Sequence, residues 1–132
     1  MTKTEHYDLP QWEKTDRVLM EDFNAAFLQL ERRIPRIATG TYVGTGTYGA
    51  SKANTLTFSF SPVLVIIKSN DPGTDILFAV HSCTKGNSNT SSTNTTYVTT
   101  IRWTEDQLSW YAGSASSQLN LQGKTYYYFA IG

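Results

Sequence analysis

Two hydrophobic periods run along this chain, and one gives way to the other near residue 38. Between Asp16 and Ile34 the apolar positions Met20, Phe23, Phe27, Leu30 and Ile34 recur at spacings of 3, 4, 3 and 4. That is a heptad seam on a helix. Thr15 or Asp16 can cap its start. Glu21 and Asp22 lie near its positive end, and Arg32, Arg33 and Arg36 near its negative end. Pro35 disfavours helical geometry at Ile34 and ends the element. The segment covers only about two heptads, fewer than a coiled coil normally shows. A lone helix of roughly nineteen residues is marginal in water. Its seam therefore needs cover, either from its own domain or from other copies of the chain, and the length favours the copies.

Beyond Ala38 the period becomes two. Residues 40–49 (GTYVGTGTYG) alternate Thr, Tyr and Gly. Residues 55–60 read as a strand with Leu56, Phe58 and Phe60 on one face, broken by Pro62. The run 63–68 (VLVIIK) is apolar at both parities, which predicts cover on both faces. Asn70, Asp71, Pro72 and Gly73 make a turn signal before a strand at 75–82. Residues 84–96 form a low-complexity loop. Further strands are expected at 97–103, 107–111, 118–121 and 124–131. Short strands at this spacing predict an antiparallel β-sandwich. The expected fold is mainly β, a sandwich preceded by one short N-terminal helix. The expected divisions are an extended arm (1–15), an oligomerising helix (16–37) and the sandwich head (38–132).

Charge sharpens this division. Residues 1–37 hold thirteen of the twenty-two Lys, Arg, Asp and Glu residues. The remaining ninety-five residues hold nine and are built from Thr, Ser, Gly, Asn, Tyr and aliphatics. The net charge is zero, so no summed field draws nucleic acid. No run approaches the roughly 18 apolar residues of a membrane span. Cys83 is the single cysteine and has no intrachain disulfide partner. Met1 to Trp12 shows no secretory apolar run, so synthesis in a cytosol is expected, with work outside the cell open to a particle released by lysis.

Catalytic chemistry has little to stand on. His6 and His81 are the only histidines. His81 near Cys83 reads as a geometric coincidence of strand spacing. The carboxylate pairs Asp71/Asp75 and Glu105/Asp106 lie in expected turns, where Asp is common for backbone reasons. No closed zinc set and no phosphate-cradling glycine loop occurs. No enzyme activity, metal or cofactor is expected. Recognition chemistry is richer: Tyr and Trp give rigid area, while Asn, Ser and Thr give adaptable hydrogen bonds. Trp103 and Trp110 read as core residues. Asn87, Asn89, Asn94, Glu105 and Tyr111 are the candidate ligand-binding positions.

The opening residues 6–27 (HYDLPQWEKTDRVLMEDFNAAF) resemble the N-terminal segments of tail or baseplate proteins from prophages of Firmicutes. Residues 40–68 and the closing SASSQLNLQGKTYYYFAIG resemble the C-terminal heads of phage tail fibres, and the terminal YYYFAIG is the most specific piece. The resemblance implies a homotrimer that touches a host surface glycan or protein without catalysis, working in the virion tail. It implies docking to other tail or baseplate proteins through the N-terminal arm. It identifies no receptor-binding residue. The helix, about 28 Å long, has no shaft after it, so a short tip fits better than a long fibre. The alternative is a structural baseplate or adaptor protein that never touches the host.

Overall fold

The computed structural model describes residues 1–71, 75–88 and 97–132. It is mainly β, with three antiparallel sheets and one helix. The chain forms two compact units, Met1–Pro35 and Arg36–Gly132.

In the first unit, strands β1 (Thr2–Lys3) and β2 (Pro10–Gln11) pair antiparallel. Thr4 closes the loop between them. Its N–H donates to the Leu9 carbonyl, its carbonyl accepts from the Asp8 N–H, and its Oγ1 accepts from the Leu9 N–H. Residues 1–15, read as an extended arm, thus double back on themselves. Helix α1 (Met20–Arg33) begins four residues later than the sequence predicts. The reason is local. The Asp16 carboxylate accepts the Glu13 N–H at 2.8 Å and pairs with the Met1 amine at 2.8 Å. An Asp side chain bound to nearby backbone in this way competes with helix formation. Leu19 takes the cap position without a side-chain hydrogen bond, and Ile34 turns extended ahead of Pro35. Trp12 stacks on Phe23 with centroids 4.9 Å apart. Arg33 donates to the His6 carbonyl and the Asp8 carboxylate, both at 3.1 Å. The hairpin is therefore laid along the helix from its first turn to its last.

The second unit contains β3 (Ile37–Val43), β4 (Asn54–Thr57), β5 (Leu64–Ser69), β6 (Ile76–Val80), β7 (Lys85–Ser88), β8 (Tyr97–Trp103), β9 (Gln107–Tyr111) and β10 (Thr125–Ile131). One sheet runs β3-β10-β5-β6 and the other β4-β9-β8-β7, with all pairs antiparallel. The sandwich follows from alternation. Val65, Ile67, Leu77, Ala79, Tyr126 and Ala130 of the first sheet are buried, as are Ile101, Leu108 and Trp110 of the second. Together with Phe58 and Phe60 they form one core. The first and last residues of this unit meet: Arg36 and Gly132 exchange two backbone hydrogen bonds.

Two sequence expectations fail here for physical reasons. Residues 118–121, read as a strand, form no strand: Gln118, Leu119 and Asn120 are buried at the end of a turn and Leu121 is exposed. Leu119 has a left-handed backbone (φ 54°) and the flanking amides of Gln118 and Asn120 are turned toward loop backbone. Residues 85–88, read as loop, are the edge strand β7. Gly86 makes this possible: a Cβ there would come within 2.7 Å of Leu77 Cδ1. The polar strand thus lies directly over the core.

The two outer faces of the sandwich differ. The outer face of β4-β9-β8-β7 carries Thr55, Gln107, Ser109, Tyr111, Thr100 and Arg102. The outer face of β3-β10-β5-β6 carries two aligned rows. Ile37, Ile131, Leu64 and Val80 form one; Thr39, Phe129, Ile66 and Phe78 form the next. Val65 and Ile67 are covered by the opposite sheet, but Leu64 and Ile66 have no sheet above them. Among the described residues of this unit, a second sheet covers residues 63–68 on one face, where cover on both was expected.

Candidate functional site

Two features have recognition chemistry: an apolar seam on α1 and a hydroxyl-lined cleft in the sandwich. The seam comes from residues that helical spacing places on one side. Met20, Phe23, Phe27 and Ile34 are 76%, 43%, 63% and 56% exposed, and Leu30 is half-buried. No residue of α1 is buried. Trp12 shields part of Phe23, while Phe27 stands open.

The cleft is built by the loop after β3. Gly44 sits so close to the Leu121 carbonyl that any side chain would collide with it. Gly46 and Gly49 take positive φ, which lets the loop fold back across the sandwich. Two buried amides then hold it. Asn120 Oδ1 accepts from the Thr45 N–H at 3.0 Å, and its Nδ2 donates to the Thr47 carbonyl at 2.8 Å. Gln118 Oε1 accepts from the N–H groups of Gly49 and Ala112, at 2.9 and 3.0 Å. Its Nε2 donates to the Lys52 carbonyl and to Asn54 Oδ1, at 2.8 and 2.9 Å. The result is an open cleft of about 420 Å³ whose lining includes Tyr42, Thr45, Thr47, Lys52, Asn54 and Thr55. Among the described residues, Lys52 is the only ionisable one besides Tyr42 on that lining. Among the described residues no carboxylate lines it, and the lining offers hydrogen bonds and aromatic area.

Burial dominates the electrostatics of the floor. The Tyr42 phenol donates to the Leu119 carbonyl at 2.8 Å, and its ring stacks on Tyr126 at 5.1 Å. Burial pushes the Tyr42 phenol far above its ordinary 10.0, and burial likewise raises Tyr126. The sign follows from linkage: a raised folded value adds stability below pH 10, and that stability is lost as pH climbs beyond it. Titrated at 295 nm at about pH 11, Tyr42→Phe should form as much phenolate as the native chain, and one fewer after unfolding in denaturant. Loss of native phenolate signal in this variant would place the Tyr42 hydroxyl in water.

Lys124 bridges Asp71 and Asp75 at 2.6 and 2.7 Å. The hydrogen bond to Asp71, then that to Asp75, holds its ammonium well above the usual lysine range. The Asp71/Asp75 pair is thus engaged with a cation. His81 and Cys83 are both exposed, and Ser82 between them has φ 73°, so strand spacing does not apply to them. His81 lies 5.2 Å from the Trp103 ring, whose Nε1 donates to the Cys83 carbonyl. Among the described residues no group of three His, Cys, Asp or Glu side chains is placed to hold a metal.

The candidate ligand-binding positions do not converge. Asn89 and Asn94 lie outside the described residues. Asn87 pairs with Val98 on β7. Glu105 lines a second cleft with Phe58, Phe60 and Asp106. Tyr111 lies at the far end of β9, roughly 20 Å along the strand from Glu105. There the Arg102 guanidinium sits 5.0 Å above its ring. Trp110 is buried in the core, with its Nε1 donating to the Gln118 carbonyl at 2.8 Å. Sequence reading missed the loop cleft, because the alternation of Gln118 and Asn120 with Leu119 and Leu121 reads as a strand and hides the amides that hold the loop. It also missed the apolar outer face, which is foreshadowed by apolar residues at both parities in 76–80 and 126–131. Comparison with protein-family models, with curated proteins and with solved structures gives no match for this chain.

Proposed function

We propose that this protein is the receptor-binding tip of a phage or prophage tail, a homotrimer that recognises a host surface glycan without catalysis. The observation that carries it is the seam of α1, where four apolar side chains, Met20, Phe23, Phe27 and Ile34, stand exposed on one side of the helix. Helices of this length gain most of their stability from packing an apolar face. Copies of the chain provide that packing and bring several heads together. Each head offers a weak, hydroxyl-rich surface, and linked heads gain avidity by orders of magnitude when geometry lets them bind at once. The resemblance of residues 6–27 and of the closing YYYFAIG to tail proteins supplies the host context.

A structural baseplate or adaptor role is the second reading, and one observation favours it. The amides of Gln118 and Asn120 that border the cleft are committed to the chain's own backbone. The full chain, fluorescently labelled, should bind purified cell-wall polysaccharide from Gram-positive hosts, and a monomeric Phe27→Asp variant should bind at least about 10-fold more weakly. Absence of binding by an oligomeric native chain across such a panel would leave the baseplate role standing.

A further inference from the structure

We infer that the outer face of the β3-β10-β5-β6 sheet is the surface through which sandwiches of neighbouring copies of this chain pack. Phe78, Val80 and Ile37 on this face are 55%, 50% and 60% exposed. Tyr127 and Phe129 of β10 stand between them, also exposed. With side-chain areas on the order of 150–200 Å², these exposures and the half-buried neighbours amount to roughly 600 Å² of apolar surface. A monomer's largest apolar patch is about 300–600 Å², and a stable interface takes about 800 Å² per partner. The face is therefore at the upper limit for free surface and close to a full interface.

Charge selects the occupant. Lys68 is the only charged residue on the three strands β3, β5 and β10, and its ammonium is held by the Ser69 and Asp71 carbonyls. Two such faces can meet with little like-charge repulsion. A lipid surface is matched less well, because the face lacks the ring of Lys, Arg and Trp that interfacial binding uses. The opposite sheet carries Thr, Ser, Gln and Arg outward beside Tyr111 and Val98 and is the more polar of the two. Ile34, on the seam, and Ile37, on the face, are three residues apart in the chain. Association through one raises the effective concentration for the other. The inference rests on the self-association proposed above, but it can fail separately.

The test uses the full chain. Hydroxyl-radical footprinting of the native oligomer should label Phe78, Tyr127 and Phe129 several-fold less than Tyr48, which is exposed in the β3–β4 loop. Phe78→Lys should weaken association on the order of 100-fold in sedimentation velocity. Its circular dichroism should be unchanged, since Phe78 is exposed within its own chain. Val80→Lys should act in the same direction. An intact oligomer in both variants, with Phe78 labelled as readily as Tyr48, overturns the interface and leaves helix association standing. A native monomer at micromolar concentration overturns both. A native monomer that sediments with phosphatidylcholine vesicles assigns the face to lipid and overturns the copy.

Discussion

Gln118→Leu should cost the sandwich about 3–5 kcal/mol, among the largest single-residue effects in the chain. Leucine is of similar size and apolar, so the loss is one of hydrogen bonds, not volume. It strands the N–H groups of Gly49 and Ala112, the Lys52 carbonyl and Asn54 Oδ1. Each buried group left unsatisfied costs about 1–3 kcal/mol, and water entering from the cleft can rescue part of that set. The melting temperature should fall by at least about 12 °C. A fall of under about 4 °C would mean that the loop does not depend on this amide. Gln118→Glu refines the point. A carboxylate still accepts from the two N–H groups but repels the two acceptors unless it is protonated. Its folded pKa is therefore raised. The variant should be most stable below about pH 4 and lose stability as pH rises through the folded value.

The second large effect is on assembly. Phe23→Asp combined with Phe27→Asp should convert the proposed trimer of 14.8 kDa chains, about 44 kDa, to the single chain. Burial of each Phe contributes about 1.5–3 kcal/mol, so two per helix weaken association on the order of a thousand-fold or more. Phe27→Asp alone should act more strongly than Phe23→Asp, because Trp12 already covers part of Phe23. Phe23→Asp should also shift the tryptophan emission of Trp12 to the red. Native mass spectrometry reads the assembly directly. An unchanged mass in the double variant would remove α1 from the interface.

These two residue sets show why parts of the molecule were legible from sequence and parts were not. Strands 97–103 and 107–111 were read with their observed bounds, and those at β5, β6 and β10 within two residues. Their apolar residues alternate against the core, and the alternation is the physical cause of the strand. Helix α1 was placed by its seam but started four residues too early, because Asp16 bonds to Glu13 and Met1 instead of capping. The turn at 118–121 was misread since Leu119 and Leu121 alternate with polar residues as a strand would. What distinguishes it is the pairing of Gln118 with Lys52 and Asn54, sixty-six and sixty-four positions away. The cleft inherits the same difficulty: it is assembled from loops by side-chain amides, and no local pattern announces such contacts.

The meeting of Arg36 and Gly132 fixes where the head can be handled. The polypeptide enters and leaves the sandwich through one doorway, so a fluorophore or affinity tag appended after Gly132 emerges beside the entry strand. The loop carrying Thr45 and Thr47, beyond the other end of β3, stays unencumbered. The appended segment must keep the glycine, because any side chain at that position runs into the Ser61 carbonyl.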